Sequence, residues 1–160
     1  ELVVAQSTID ATTEKESLLA VANLSMDSLI GEAQYKQYKV GYQYYQNGQY
    51  EQAVKALQQS RQYEQSVYYA DDALYYTIQS KRQLSDDSIT ADYEQFLSQQ
   101  GEYFIKSPYY DDVLLQYANY HLTQQNEAEA VLLLQQIKTK FAKEWTAAEA
   151  DSLLSGLGDY

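Results

Sequence analysis

The sequence has no cysteine, one proline, one tryptophan, one histidine and six glycines in 160 residues. The lack of cysteine excludes disulfides, thiolate metal sites and a thiol nucleophile. Few helix breakers, with Ala, Leu, Glu and Gln abundant, predict a nearly all-helical chain. Basic residues are also scarce: 11 against 23 acidic ones, a formal charge of −12 and a pI near 4.3. No basic stripe suits a phosphate backbone, so nucleic acid is not an expected partner, and an anionic membrane surface is disfavoured for the same reason. No apolar run approaches the roughly 20 residues of a membrane span, so no membrane insertion by this segment is expected. The chain has neither a glycine-rich phosphate loop nor a G-x-S-x-G elbow. No pair of carboxylates is bracketed as a glycosidase requires. The chain reads as a non-enzyme with no cofactor and no metal.

Three acidic pairs, Asp71-Asp72, Asp86-Asp87 and Asp111-Asp112, lack the alternating oxygen ligands and central glycine of a calcium loop. They fit helix N-termini, where carboxylates complement the helix dipole. Hydrophobic residues make up 45% of the chain, enough for one folded domain with a core.

The residues that are present organise around Tyr35 to Arg61. Val40, Gly41 and Tyr44 share one helical side, Asn47-Gly48 suits a helix stop, and Tyr50, Ala53, Val54 and Leu57 mark a second stripe. Two helices joined by so short a turn pack antiparallel, with Gly41 and Ala53 allowing close approach. The order Gly41, Tyr44, Gly48, Tyr50, Ala53, Leu57 resembles a tetratricopeptide repeat (TPR), with Gln37 in place of the family's early tryptophan and Ser60 in place of its late alanine. Ala118, His121, Ala130, Leu134 and Ile137 repeat that spacing, with Gln125 and Glu127 replacing the turn glycine and second aromatic. A divergent unit lies between, with helices over Tyr68 to Leu84 and Ser88 to Gln100 and a longer loop near Gln83 to Asp87.

The resemblance implies a short right-handed α-hairpin solenoid. Its divisions are an N-terminal linker and helix (1–33), hairpins at 34–66, 67–106 and 107–143, and a C-terminal capping helix (144–160). Ser107-Pro108 predicts the start of a helix over Tyr109 to Gln124, with Ser107 as N-cap. Another helix is expected over Glu127 to Phe141, its broad apolar run covered on two sides. Thr146 to Glu149 fits a capping box opening a last helix that stops at Gly156, with Trp145 packed on the preceding pair. His121 is expected to pack inside its hairpin. The first helix is expected to begin near Ser7 or Asp10 and break at Gly31; the alternative is a single helix over 10–46. That segment either covers the open edge of the first repeat or docks and dimerises.

Tyrosine is the abundant residue, at 18 of 160. Tyr35, Tyr38, Tyr42 and Tyr45, spaced 3, 4 and 3, fall within an arc of roughly 80° on a helical wheel. The TPR resemblance places them on the concave groove, joined by Tyr69, Asp72 and Tyr76 and then by Asp112, Leu115, Asn119 and Leu122. Tyrosine offers a rigid apolar face and one hydroxyl at small entropy cost. The groove is expected to bind a protein or peptide segment, with Asp72 and Asp112 selecting basic side chains; equally, the tyrosines are partly core. A structural or homodimerising spacer and a carbohydrate binder are the other readings. Because Glu1 is not a methionine, the chain is expected to be a piece whose signal or anchor lies upstream. Its Tyr, Gln, Ser and Thr richness resembles exported domains of Gram-positive bacteria, implying the extracellular face of a membrane, with the cytoplasm as the alternative.

Overall fold

The computed structural model describes residues 15, 18, 29–61, 68–99 and 101–158. Within them the protein is all helical. Helix α1 covers 29–46, α2 Tyr50–Arg61, α3 Ala70–Leu84, α4 Ile89–Ser98, α5 Glu102–Ile105, α6 Tyr110–Thr123, α7 Glu127–Lys140 and α8 Trp145–Leu157. Packing follows chain order: α2 on α3, α3 on α4, α4 on α6, α6 on α7 and α7 on α8. This pattern is consistent with a helical repeat. Most of the N-terminal segment assigned to a linker and docking helix lies outside the described residues.

Three helices end alike. After α1 the Gln49 N–H donates to the Tyr44 carbonyl and the Gly48 N–H to that of Tyr45. After α3 the donors are Asp86 and Ser85, to Lys81 and Arg82; after α6 they are Asn126 and Gln125, to His121 and Leu122. Each is a Schellman motif around one left-handed residue: Gly48 at φ 74°, Ser85 at 52° and Gln125 at 58°. The middle loop, 85–88, is one residue longer than 47–49 and 124–126.

These ends set a common register. Seven residues before the left-handed one stand Gly41, Ile78 and Ala118, all buried. Gly41 is needed there, because a Cβ would lie 2.6 Å from Leu57 Cγ. Four residues before it stand Tyr44, Lys81 and His121. Tyr44 packs against the cluster of Ala53, Leu57 and Ala73, and half-buried His121 lies with its ring 4.3 Å from that of Tyr117. Lys81 instead donates to Asp92 Oδ2 at 2.5 Å, both side chains at most 10% exposed. The middle hairpin thus carries an ion pair where the first has an aromatic ring on apolar side chains. Arg61 of α2 neighbours Asp92 and donates to Gln95 Oε1 at 2.7 Å; burial lowers its pKa, and Asp92 opposes that shift.

The core runs between the layers. Leu74, Ile78, Tyr93, Phe96 and Val113 join α3, α4 and α6, with Phe104 of α5 edge-on to Phe96 at 5.2 Å. Leu114, Leu134, Ile137, Ala150 and Leu154 join α6, α7 and α8. Helix α7 is covered on two sides as its apolar run implies, but Leu132 is exposed. Lys138 ties α7 to α8 through Asp151 at 2.5 Å.

Several expectations are corrected. The helix runs through Gly31 without a break; a glycine stops a helix only where the left-handed conformation is used, and otherwise costs about 1 kcal/mol. Val40 is exposed rather than packed. Ser107 is not the N-cap of α6: its Oγ accepts from the Tyr109 N–H at 3.2 Å within a turn, and the helix starts at Tyr110. Thr146 is not the cap of α8, which starts at Trp145; its buried hydroxyl donates to Asp111 Oδ2 at 2.7 Å. Trp145 is 63% exposed, and Ala150 and Leu154 dock the helix instead. Burial of Leu157 carries α8 past Gly156. The short α5 was not expected.

Lys81→Met should cost about 3 kcal/mol in urea unfolding, the lower end for a broken buried pair because Arg61 lies near Asp92. Lys81→Met combined with Asp92→Leu should recover most of that loss. An equally large loss in the double variant would show that the pair is not an isolated charge contact.

Candidate functional site: a face of stacked tyrosines

The spacing of Tyr35, Tyr38, Tyr42 and Tyr45 puts four phenols on the side of α1 that meets α3. There they stack. Tyr69, at the N-cap of α3, lies 5.0 Å from Tyr35 and 5.3 Å from Tyr38, both stacked. Tyr76 lies 4.7 Å from Tyr42 and 5.0 Å from Tyr45 at tilted angles. Beyond α3, Tyr109 stacks on Tyr75 at 4.0 Å and 9°. Its hydroxyl donates to Asp72 Oδ1 at 3.2 Å. A continuous set of rings therefore passes from α1 over α3 to the entry of α6.

Six of the expected tyrosines, Tyr35, Tyr38, Tyr42, Tyr45, Tyr69 and Tyr76, share this set, and Asp72 touches it through Tyr109. Tyr35 is 41% exposed; the other five are half-buried. The rings are packing and surface at once. Asp112 sits at the far margin, close enough to raise the Tyr75 pKa behind the larger effect of burial. Asn119 does not join. It lines a separate cavity of about 420 Å³ with Arg82, Gln116 and Tyr120. Leu115 is core, packed with α7 and α8. Counted back from the left-handed residue, the α3 positions equivalent to Tyr35, Tyr38, Tyr42 and Tyr45 are Asp72, Tyr75, Gln79 and Arg82, although the rings in contact are Tyr69 and Tyr76. Those equivalent positions lie about one helical turn beyond the ones the repeat spacing gave.

Sequence reasoning missed Tyr68, Tyr75, Tyr103 and Tyr109. A signal was present: Tyr68-Tyr69-Ala70-Asp71-Asp72 opens α3 and Tyr109-Tyr110-Asp111-Asp112 opens α6. Both place an aromatic pair ahead of an acidic pair.

Electrostatically the site is neutral phenol beside carboxylate. Burial pushes Tyr38 and Tyr109 well above the ordinary phenol range. Burial, then repulsion from Asp71, raises Asp72, while the Tyr109 hydroxyl opposes the shift. Phenols held this way are poor nucleophiles and bases, and among the described residues no group of three or more His, Asp or Glu could hold a metal ion. The arrangement offers flat apolar area, hydroxyl donors and negative charge. The chain matches no protein-family model, no curated sequence and no solved structure, so the reading of its function rests on its own residues.

The buried phenols fix a pH response. Tyr93 and Tyr117 are pushed up to about 12, Tyr93 by burial and Tyr117 by burial and then its hydrogen bond to Glu94. A raised acid favours its protonated form in the fold. Its contribution is complete below the unfolded value near 10 and is lost as pH rises through about 12. In an ultraviolet tyrosinate titration part of the tyrosine signal should lag and appear together with loss of helical circular dichroism. Complete ionisation near pH 10 with helix retained would contradict the burial.

Proposed function

We propose that this chain is a non-enzymatic interaction domain. It is a short TPR-like row of α-hairpins that binds a protein or peptide segment along the tyrosine face, with preference for basic side chains. One observation carries the reading: phenols from α1, α3 and the entry of α6 form a single half-exposed surface, with Asp72 at its centre and Asp112 at its margin. Half-exposed tyrosines supply contact area at low ordering cost, and the carboxylates reward a cation. The TPR resemblance and the neighbour-on-neighbour packing support a solenoid. No helix among the described residues is long and apolar enough to cross a membrane. The composition supports a place on the extracellular side of a bacterial membrane, held by an anchor outside this segment.

The homodimer reading also has support. Leu29 and Val40 are helical, exposed and spaced by eleven residues, which places them on one face of α1. A second copy would cover them; light scattering that finds a concentration-independent monomer removes this reading.

Selection of a random peptide library on the immobilised chain tests the groove. Enriched peptides should carry Lys or Arg beside apolar residues. Tyr38→Ala with Tyr42→Ala should abolish their binding, and Tyr35→Ala, at an exposed ring, should weaken it about tenfold with circular dichroism unchanged. An absence of enrichment, or binding indifferent to Tyr35→Ala, overturns the proposal.

A further inference from the structure

At the N-terminal end of α3 the tyrosine face deepens into a pocket of about 360 Å³. Its walls are Tyr38, Tyr68, Tyr69 and Tyr103, with Pro108 at one side and the carboxylates of Asp71 and Asp72 behind. We propose that this pocket binds an alkylated ammonium head, a quaternary or methylated amine. The inference rests on the interaction reading above and names the chemistry its deepest point would take.

The ring geometry is the first ground. Tyr38 and Tyr69 are stacked at 5.3 Å, Tyr68 stands edge-on to Tyr69 at 86°, and Tyr103 meets Tyr68 at 75°. Walls that turn through near right angles suit a compact group resting in an open recess, whereas a flat platform would suit a planar one. Aromatic faces attract a cation through their quadrupole, most strongly when it sheds water cheaply. This chain already uses the attraction once, with Lys39 Nζ 4.8 Å from the ring centroid of Tyr35.

Charge is the second. Asp71 is buried and Asp72 half-buried, while among the described residues no lysine or arginine lines the pocket. Part of the Asp72 acceptor capacity is taken by the Tyr109 hydroxyl. A calcium ion takes about six to eight oxygen ligands, more than two carboxylates supply. A primary ammonium brings three donors that must each be satisfied on leaving water. An alkylated ammonium brings few or none, so ring faces and nearby negative charge are sufficient for it.

The test is a nuclear magnetic resonance titration of the whole chain with choline chloride, with sodium chloride as control. Choline should shift the Tyr38, Tyr68, Tyr69 and Tyr103 ring signals and saturate, and its uncharged tert-butyl analogue should bind at least tenfold more weakly. Tyr103→Ala, on the short exposed α5, should weaken choline about tenfold; Tyr103→Phe should restore it. A peptide bearing one trimethyl-lysine and phosphatidylcholine vesicles separate a side-chain source from a lipid source. Equal binding of the uncharged analogue, no saturation with choline, or indifference to Tyr103→Ala overturns the proposal. If library peptides still bind while choline does not, the pocket proposal fails and the groove reading stands. If choline binds and no peptide does, the groove reading fails and the pocket stands.

Discussion

A tyrosine ring cannot be handled like a leucine. Its faces gain from burial, but its hydroxyl needs water or a partner, and an uncovered buried hydroxyl costs more than the contact gains. The α1–α3 junction meets that constraint by stacking tyrosine on tyrosine. Tyr38 stacks on Tyr69, Tyr42 meets Tyr76 at a tilt, and both remain half-buried. Each such pair adds about 0.5–1.5 kcal/mol beyond area burial. The first hairpin also meets the second through α2, where Ala53 and Leu57 pack on Ala73 of α3. Position of the first hairpin against the second therefore depends in part on the same rings that form the candidate binding surface. A ligand here meets a packed assembly of rings, already ordered, and the entropy cost of forming the surface has been met by folding.

The remaining junctions are conventional in chemistry and unequal in detail. Phe96, Val113 and Ile78 bind the second hairpin to the third, and Leu114, Leu134 and Leu154 bind the third to α8. The middle hairpin holds Lys81 and Asp92 inside, where neither charge can reach water freely. Such a pair adds little net stability, but it penalises alternative registers in which one partner is buried alone.

Much of the architecture was legible because helix ends and short turns are local. Asn47-Gly48, the longer middle loop and Ser107-Pro108 marked boundaries within a residue or two, since left-handed glycine and proline act through their own backbone. What was illegible depended on distant partners. Thr146 reads as a cap, but Asp111, from another helix, claims its hydroxyl. Trp145 reads as a docking residue, yet a helix docks through whichever side the preceding pair can fill, here Ala150 and Leu154. Gly31 reads as a break, but no geometry demands a left-handed residue there. In the site, the 3, 4, 3 spacing placed the α1 tyrosines on one side. The α3 rings they meet, Tyr69 and Tyr76, are the ones the repeat spacing gave. Asn119 stands six residues before Gln125 as Tyr42 does before Gly48, yet it lines another cavity, and Leu115 belongs to the core.

The central claim is that ring-on-ring packing joins α1 to α3 and leaves a usable surface. A double-mutant cycle on Tyr42 and Tyr76, each replaced by Ala and by both together, measures it directly through unfolding free energies. The account requires a favourable coupling of about 0.5–1.5 kcal/mol. Strictly additive losses would mean that the two rings do not hold each other, and the surface described here would not exist as a unit.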